Sequence, residues 1–171
     1  MSGIVEVVRE AGVVGAGGAG FPTYVKLQSR PDTLICNAAE CEPLLYTDYY
    51  GITNLIDGVI GGMVIAGKQL GTKRMVFALK KKRGELFPII EDAIQKAGAE
   101  IEVFGMGDYY PAGDEQSLVY DVTGRIVPQK GIPINVDVVV NNVLTFYQVW
   151  DAVTNSNPVV ERYVSVVGRV K

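Results

Sequence analysis

The 171-residue chain has no histidine and two cysteines, Cys36 and Cys41. Without imidazole, histidine-based nucleophilic triads and the usual imidazole metal sites are excluded. Two thiols fall short of the roughly four that an iron–sulfur cluster takes, and no C-x-x-C spacing occurs, so no cluster is expected in this segment. Both cysteines are expected to be reduced and at least partly buried. An excess of one charge is also missing. The chain carries 16 basic and 19 acidic residues, a formal net charge of −3, whereas a sequence-independent nucleic-acid binder shows a strong basic excess. The basic run Lys80-Lys81-Lys82-Arg83 reads as a solvated loop between a strand and a helix. Long apolar runs are absent too. The most apolar stretch, Leu55 to Leu70, holds Asp57 and Lys68 and is shorter than the roughly 20 residues a membrane span needs. Residues 1–20 lack a basic start and a continuous apolar core, so no signal peptide is expected. Membrane association, if any, is expected through partners.

What is present is a well-mixed chain, 48% hydrophobic, of a length that suits one core and one domain. Short β-branched runs at Thr33 to Cys36, Arg74 to Leu79, Glu100 to Phe104 and Asp137 to Val140 predict strands. Between them, Ile52 to Leu70, Glu85 to Lys96, Glu115 to Thr123 and Val143 to Val153 predict helices. This alternation predicts an α/β, Rossmann-like fold: a mostly parallel sheet with helices on both faces, joined by right-handed crossovers. Val159 to Val167 reads as a final extended segment.

Chemistry concentrates near the N-terminus. Gly15-Ala-Gly-Gly-Ala-Gly-Phe-Pro22 leads into Thr-Tyr-Val-Lys26. Glycines at this density expose backbone N–H groups, and successive exposed N–H groups make an anion-holding concavity, here with the Lys26 ammonium close by. A phosphate-bearing ligand is the expectation, with Gly15, Gly17 and Gly18 as contacts. The segment matches G-x-G-x-x-G, but that motif follows a strand and opens a helix. Ile4 to Glu10 reads as a short helix at least as well as a strand, and Pro22 delays the next helix. By itself the loop reads equally well as a plain turn.

A second segment, Asp32-Thr-Leu-Ile-Cys-Asn-Ala-Ala-Glu-Cys-Glu-Pro43, is a short strand delivering Asn37, Glu40 and Glu42 at its carboxyl end. In open parallel sheets that end is where ligands sit. Together with Tyr110-Pro-Ala-Gly-Asp-Glu-Gln-Ser-Leu118, Thr123-Gly-Arg-Ile-Val-Pro128, and Val139-Val-Asn-Asn-Val143 with Thr145, these segments resemble the flavin- and NADH-binding subunits of electron-transfer complexes. That family includes the flavoprotein subunit of respiratory Complex I, the C subunit of the Rnf complex and the cobalamin reductase of propanediol-degrading microcompartments. Ala16 and Ala39 replace the arginine and acid of the Complex I branch, so the chain is similar rather to the Rnf and cobalamin-reductase branch.

The resemblance implies non-covalent FMN, hydride acceptance from NADH, and one-electron delivery to an iron–sulfur cluster in another domain or subunit. It implies flavin contacts at Lys26, Asn37 and Glu40, and contacts to the phosphate or ribityl chain at Asn141, Asn142 and Thr145. For NADH it implies Phe21 against adenine, Glu42 on the ribose hydroxyls and Glu115 near the nicotinamide. Phe21 reads equally as a core ring, and Glu115 equally as a helix N-terminal acid. No side chain is expected to act as a catalytic acid or base, and no metal site is expected. Residues 1–171 are expected to form a single FMN/NADH-binding domain excised from a longer chain with downstream iron–sulfur domains. The expected location is cytoplasmic, at the periphery of the inner membrane or inside a microcompartment. Two other readings stay open: an NADH-binding module without flavin, and a non-catalytic scaffold domain of a redox complex.

Overall fold

A computed structural model describes residues 3–169. The four strands, β1 (Thr33–Ala38), β2 (Arg74–Lys80), β3 (Glu102–Met106) and β4 (Val138–Asn142), form one sheet in the order β3-β2-β1-β4. All three pairings are parallel. The helices are α1 (Ile4–Glu10), α2 (Thr23–Lys26), α3 (Thr47–Asn54), α4 (Ile56–Leu70), α5 (Phe87–Ala97), α6 (Glu115–Thr123) and α7 (Val143–Asn155). The chain steps outward from β1 to β2 to β3, then returns past β1 to lay β4 on its other side. Strand order therefore reverses between β1 and β4, which is where open α/β sheets leave a crevice at their carboxyl ends.

Alternation along the strands divides the core. Leu34, Cys36, Phe77, Leu79 and Val139 face the layer that holds α1, α4, α5 and α7. Their neighbours Ile35, Val76, Ala78, Val138 and Val140 face Leu118, Val119 and Val122 of α6. Helices thus cover both faces, unequally. The tightest helix contact is α4 on α7. Gly58, Gly61 and Gly62 share one face of α4 at helical spacing. A Cβ on Gly62 would stand 1.9 Å from the Phe146 carbonyl oxygen, and one on Gly61 would stand 2.6 Å from the Trp150 ring. Only a face without side chains brings the two backbones this close.

Three sequence expectations differ from the fold. The helix expected over Ile52 to Leu70 is two helices, α3 and α4, bent by 94°. Leu55 leaves helical geometry at φ −128°, and α3 begins well upstream, where its tyrosines and Asp48 obscure the apolar period. Lys80 is buried at 3% exposure as the last residue of β2, and Lys81–Leu86 winds into 3-10 turns instead of an open loop. The tail at 157–169 forms no strand, although Val159 N–H donates to the Ala11 carbonyl at 2.8 Å. Among the described residues, no single helix is long and apolar enough to cross a membrane.

Candidate functional site

The glycine segment is a closed loop. Val14 and Pro22 form an antiparallel bridge at its neck, reinforced by Gly15 N–H to the Phe21 carbonyl at 2.9 Å and Thr23 N–H to the Val13 carbonyl at 3.2 Å. Its first limb is tied down just beyond the neck: Ala16 N–H donates to Oγ1 of the fully buried Thr145, in the first turn of α7, at 2.9 Å. Gly17 lies against Asn142, where an added Cβ would meet the Asn142 Cβ at 3.3 Å, and Gly18 holds φ +116°, a conformation that side chains oppose. The N–H groups of Gly17 and Gly18 have no hydrogen-bond acceptor among the described residues.

These two glycines form one wall of a hollow of about 440 Å³ at the carboxyl ends of β1 and β4, within the usual range for small-molecule and cofactor sites. Asn37 forms another part of its wall. Its Nδ2 donates to the Gly113 carbonyl at 2.9 Å and its Oδ1 accepts from Ala39 N–H at 3.1 Å. Gly113 N–H in turn points to Cys41 Sγ at 3.0 Å. A Cβ on Gly113 would come within 2.7 Å of the Ala39 Cβ, so this stitching of the Pro111–Asp114 turn to β1 depends on glycine. Asp114 caps α6, accepting from Gln116 N–H and Ser117 N–H at 3.1 Å each. Tyr110 and Glu42 meet at the rim, hydroxyl to carboxylate, at 3.2 Å.

Acids line the floor. Glu40 sits at φ +36°, and from there its carboxylate caps α3, accepting from Asp48 N–H at 2.9 Å and Tyr49 N–H at 3.3 Å. Burial raises the Glu40 carboxyl above its ordinary range, against the lowering effect of those two amides. Asp48, itself buried, accepts from Asn142 Nδ2 at 2.8 Å. Its carboxyl is pushed up to about 7, chiefly by burial, with the neighbouring Glu40 charge acting in the same direction. Asn142 is held at both ends of its amide, because its Oδ1 also accepts from Leu144 N–H to cap α7.

A second hollow, about 250 Å³, lies beside the edge strand β4, with Ile132, Pro133, Ile134 and Val138 in its lining. Phe21, Lys26 and Glu115 also line it. Lys26 Nζ donates to the Val140 carbonyl at 2.6 Å, pairs with Glu115 at 3.4 Å and stands 5.6 Å from the Phe21 ring centre.

The residues singled out from sequence therefore fall into three places. Gly17, Gly18, Asn37, Glu40, Glu42 and Asn142 share the larger hollow, and Phe21, Lys26 and Glu115 share the smaller one. Gly15, Thr145 and Asn141 lie in neither lining. Gly15 closes the neck of the loop and Thr145 anchors its first limb through Ala16. Asn141 is buried in β4 with an Nδ2 that finds no partner among the described residues. Sequence reasoning missed Asp48 and gave Tyr110 no role. An acid between tyrosines, one turn ahead of an expected helix, was the available signal for Asp48. Among the described residues, no group of three or more His, Cys, Asp or Glu is placed to hold a metal.

Comparison with known proteins converges on one family. The model of the Nuo51 FMN-binding domain matches residues 8–151. A cobalamin reductase, PduS of Citrobacter freundii, is 42% identical over 167 residues, covering 98% of this chain and 36% of that protein. The C subunit of the proton-translocating ferredoxin:NAD(+) oxidoreductase complex of Clostridium ljungdahlii is 36% identical over 95% of this chain and 36% of its own length. The chain thus spans just over a third of these curated relatives. Among solved structures, a chain of NAD+-reducing [NiFe]-hydrogenase in the H2-reduced state superposes with a TM-score of 0.79 at 28% identity, covering 89% of this chain and 30% of that one.

Proposed function

This chain belongs to the Nuo51 FMN-binding domain family, and from that premise we propose that it holds FMN in the larger hollow, oxidises NADH there, and delivers electrons to an iron–sulfur centre in another domain or subunit. Family membership supports a flavin-dependent oxidoreductase with a role in electron transport. The observation that carries the reading is the convergence of the Gly17 and Gly18 amides, Asn37 and Asn142 on one hollow at the strand-order reversal.

The residues present suit the cofactor. Two N–H groups without acceptors, in a loop closed at its neck and tied to Thr145 through Ala16, suit an anion cradle for a phosphate. Asn37 and Asn142 each spend one amide hydrogen and one lone pair on the protein. Each keeps one of both for the ribityl chain or ring edge. Lys26, the flavin contact that the resemblance implies, lines the smaller hollow and not the larger one, so its positive charge is proposed to act on a ligand phosphate from that side. Bound FMN supplies the conversion between a two-electron hydride donor and one-electron acceptors. The protein's part is to bind, orient and exclude water, and no side chain is required as a catalytic base. For NADH, Glu42 at the rim of the larger hollow is proposed on the flavin side, while Phe21 and Glu115 line the smaller hollow and are proposed for the part of the dinucleotide away from the nicotinamide. In the cell the domain works at the cytoplasmic side as part of a larger redox assembly; its ferredoxin:NAD(+) oxidoreductase relative is by name a member of such a complex.

Reconstitution with FMN followed by desalting tests this. The expected result is a yellow protein, bleached anaerobically by NADH. Retained FMN that NADH does not bleach favours a scaffold domain. NADH binding without flavin retention favours a nucleotide module.

A further inference from the structure

Asp48 is an acid that the proposed chemistry leaves unused, yet it stands in the lining of the larger hollow. Its surroundings are settled by three elements. From the loop after β1, Glu40 places a carboxylate against the same helix end and spends both oxygens on backbone N–H donors. From the β4–α7 junction, Asn142 donates one amide hydrogen to one Asp48 oxygen. From β1, the buried Cys36 thiol feels the Asp48 charge and is raised further by it, after burial itself. Arg83 reaches the Glu40 side, and no cation faces Asp48 directly among the described residues. Two amides favour the charged form of Glu40. Asp48 accepts one side-chain hydrogen bond, from Asn142, and the Glu40 backbone amide also favours its charged form, but burial outweighs both.

Asp48 is 7% exposed, and that part of it faces the hollow, which is open to solvent. A ligand that fills the hollow removes that exposure without bringing a cation to the carboxylate, which penalises the ionised form. Resting on the FMN reading above, we infer that Asp48 is a proton-coupled positioning residue: filling the hollow with flavin takes up one proton onto its carboxyl, which keeps Asn142 in place as a neutral hydrogen-bonded pair. By linkage, a ligand that favours the protonated form must itself bind better where that form already prevails. The free carboxyl titrates at about 7, so the coupling falls in the physiological range.

The experiment titrates FMN into wild type and Asp48→Asn from pH 5.5 to 8.5, following quenching of flavin fluorescence. The ratio of the two affinities cancels the titration of the FMN phosphate itself. Wild-type affinity relative to Asp48→Asn is expected to fall about tenfold per pH unit above pH 7 and to level off below it. A ratio independent of pH, with both proteins binding, overturns the inference and leaves the flavin site standing. If wild type binds no FMN at any pH, the flavin reading falls and takes the inference with it. Should Asp48→Asn not fold, calorimetry of wild type with riboflavin at pH 8, in two buffers of different ionisation enthalpy, serves instead. Uptake of close to one proton supports the inference, and uptake near zero overturns it.

Discussion

Glycine governs two regions of this molecule, the α4–α7 seam and the carboxyl rim, and it serves them differently. At the seam, Gly62 stands where a Cβ would penetrate the Phe146 carbonyl, and the absent side chain is filled by a neighbouring backbone. At the rim, Gly113 and Gly17 stand where a Cβ would crowd Ala39, Cys41 or Asn142, and the room beyond them is left as a hollow. The seam packs apolar side chains such as Ile60, Met63, Phe146 and Val149, while the rim buries acids beside free amides. One region holds the fold together and the other gives up packing to make a site, so substitutions of the same kind should fail in different ways.

The largest effect is expected at the seam. Gly62→Ala forces a methyl into a backbone oxygen, so the helices must part, at a cost of about 3 kcal/mol or more. Denaturant melts will check this; a midpoint unchanged from wild type would break the comparison. Next comes the acid at the rim. Asp48 has an ordinary carboxyl value of 3.8 and a folded value of about 7. Between these limits the folded state binds more protons than the unfolded one, so stability falls as pH rises. The contribution is fully present below pH 4 and is lost as pH passes through 7, on the order of 2–4 kcal/mol. Glu40, also raised, adds in the same direction. Urea midpoints of wild type minus those of Asp48→Asn should trace this slope, and a constant difference would show that the acid is not buried as described. The smallest effect sharpens the contrast. Gly113→Ala should loosen FMN about tenfold, near 1.4 kcal/mol, while shifting the melting temperature far less than Gly62→Ala. Equal losses of stability at both sites would erase the distinction.

The sheet was readable in the sequence because its strands are apolar runs such as Val138-Val-Val140, whose period and β-branching survive any tertiary context. Strand ends were not. Asn37, Asn141 and Asn142 belong to the sheet by backbone pairing alone, and nothing in a polar side chain announces that. The loop and the Asn37 segment were legible as neighbours at the candidate hollow because glycine density and a strand end carry direct chemical meaning. The division into two hollows was not, because it depends on where Lys26 turns. Asp48 escaped for a related reason: its significance comes from Asn142 and Glu40, neither of them near it in an apolar pattern, and burial of a charge leaves no local signature.

Lys26 holds one further lesson. Its ammonium sits on a carbonyl of β4, the outermost strand on that side of the sheet. Open strand borders invite pairing with a second chain, and lysines are a common guard against it. If a phosphate draws this residue away, the border is left bare at the moment of cofactor loading. The cation proposed to help seat a nucleotide would thereby also stand watch against fibrous self-association, a duty that passes to whatever occupies the smaller hollow.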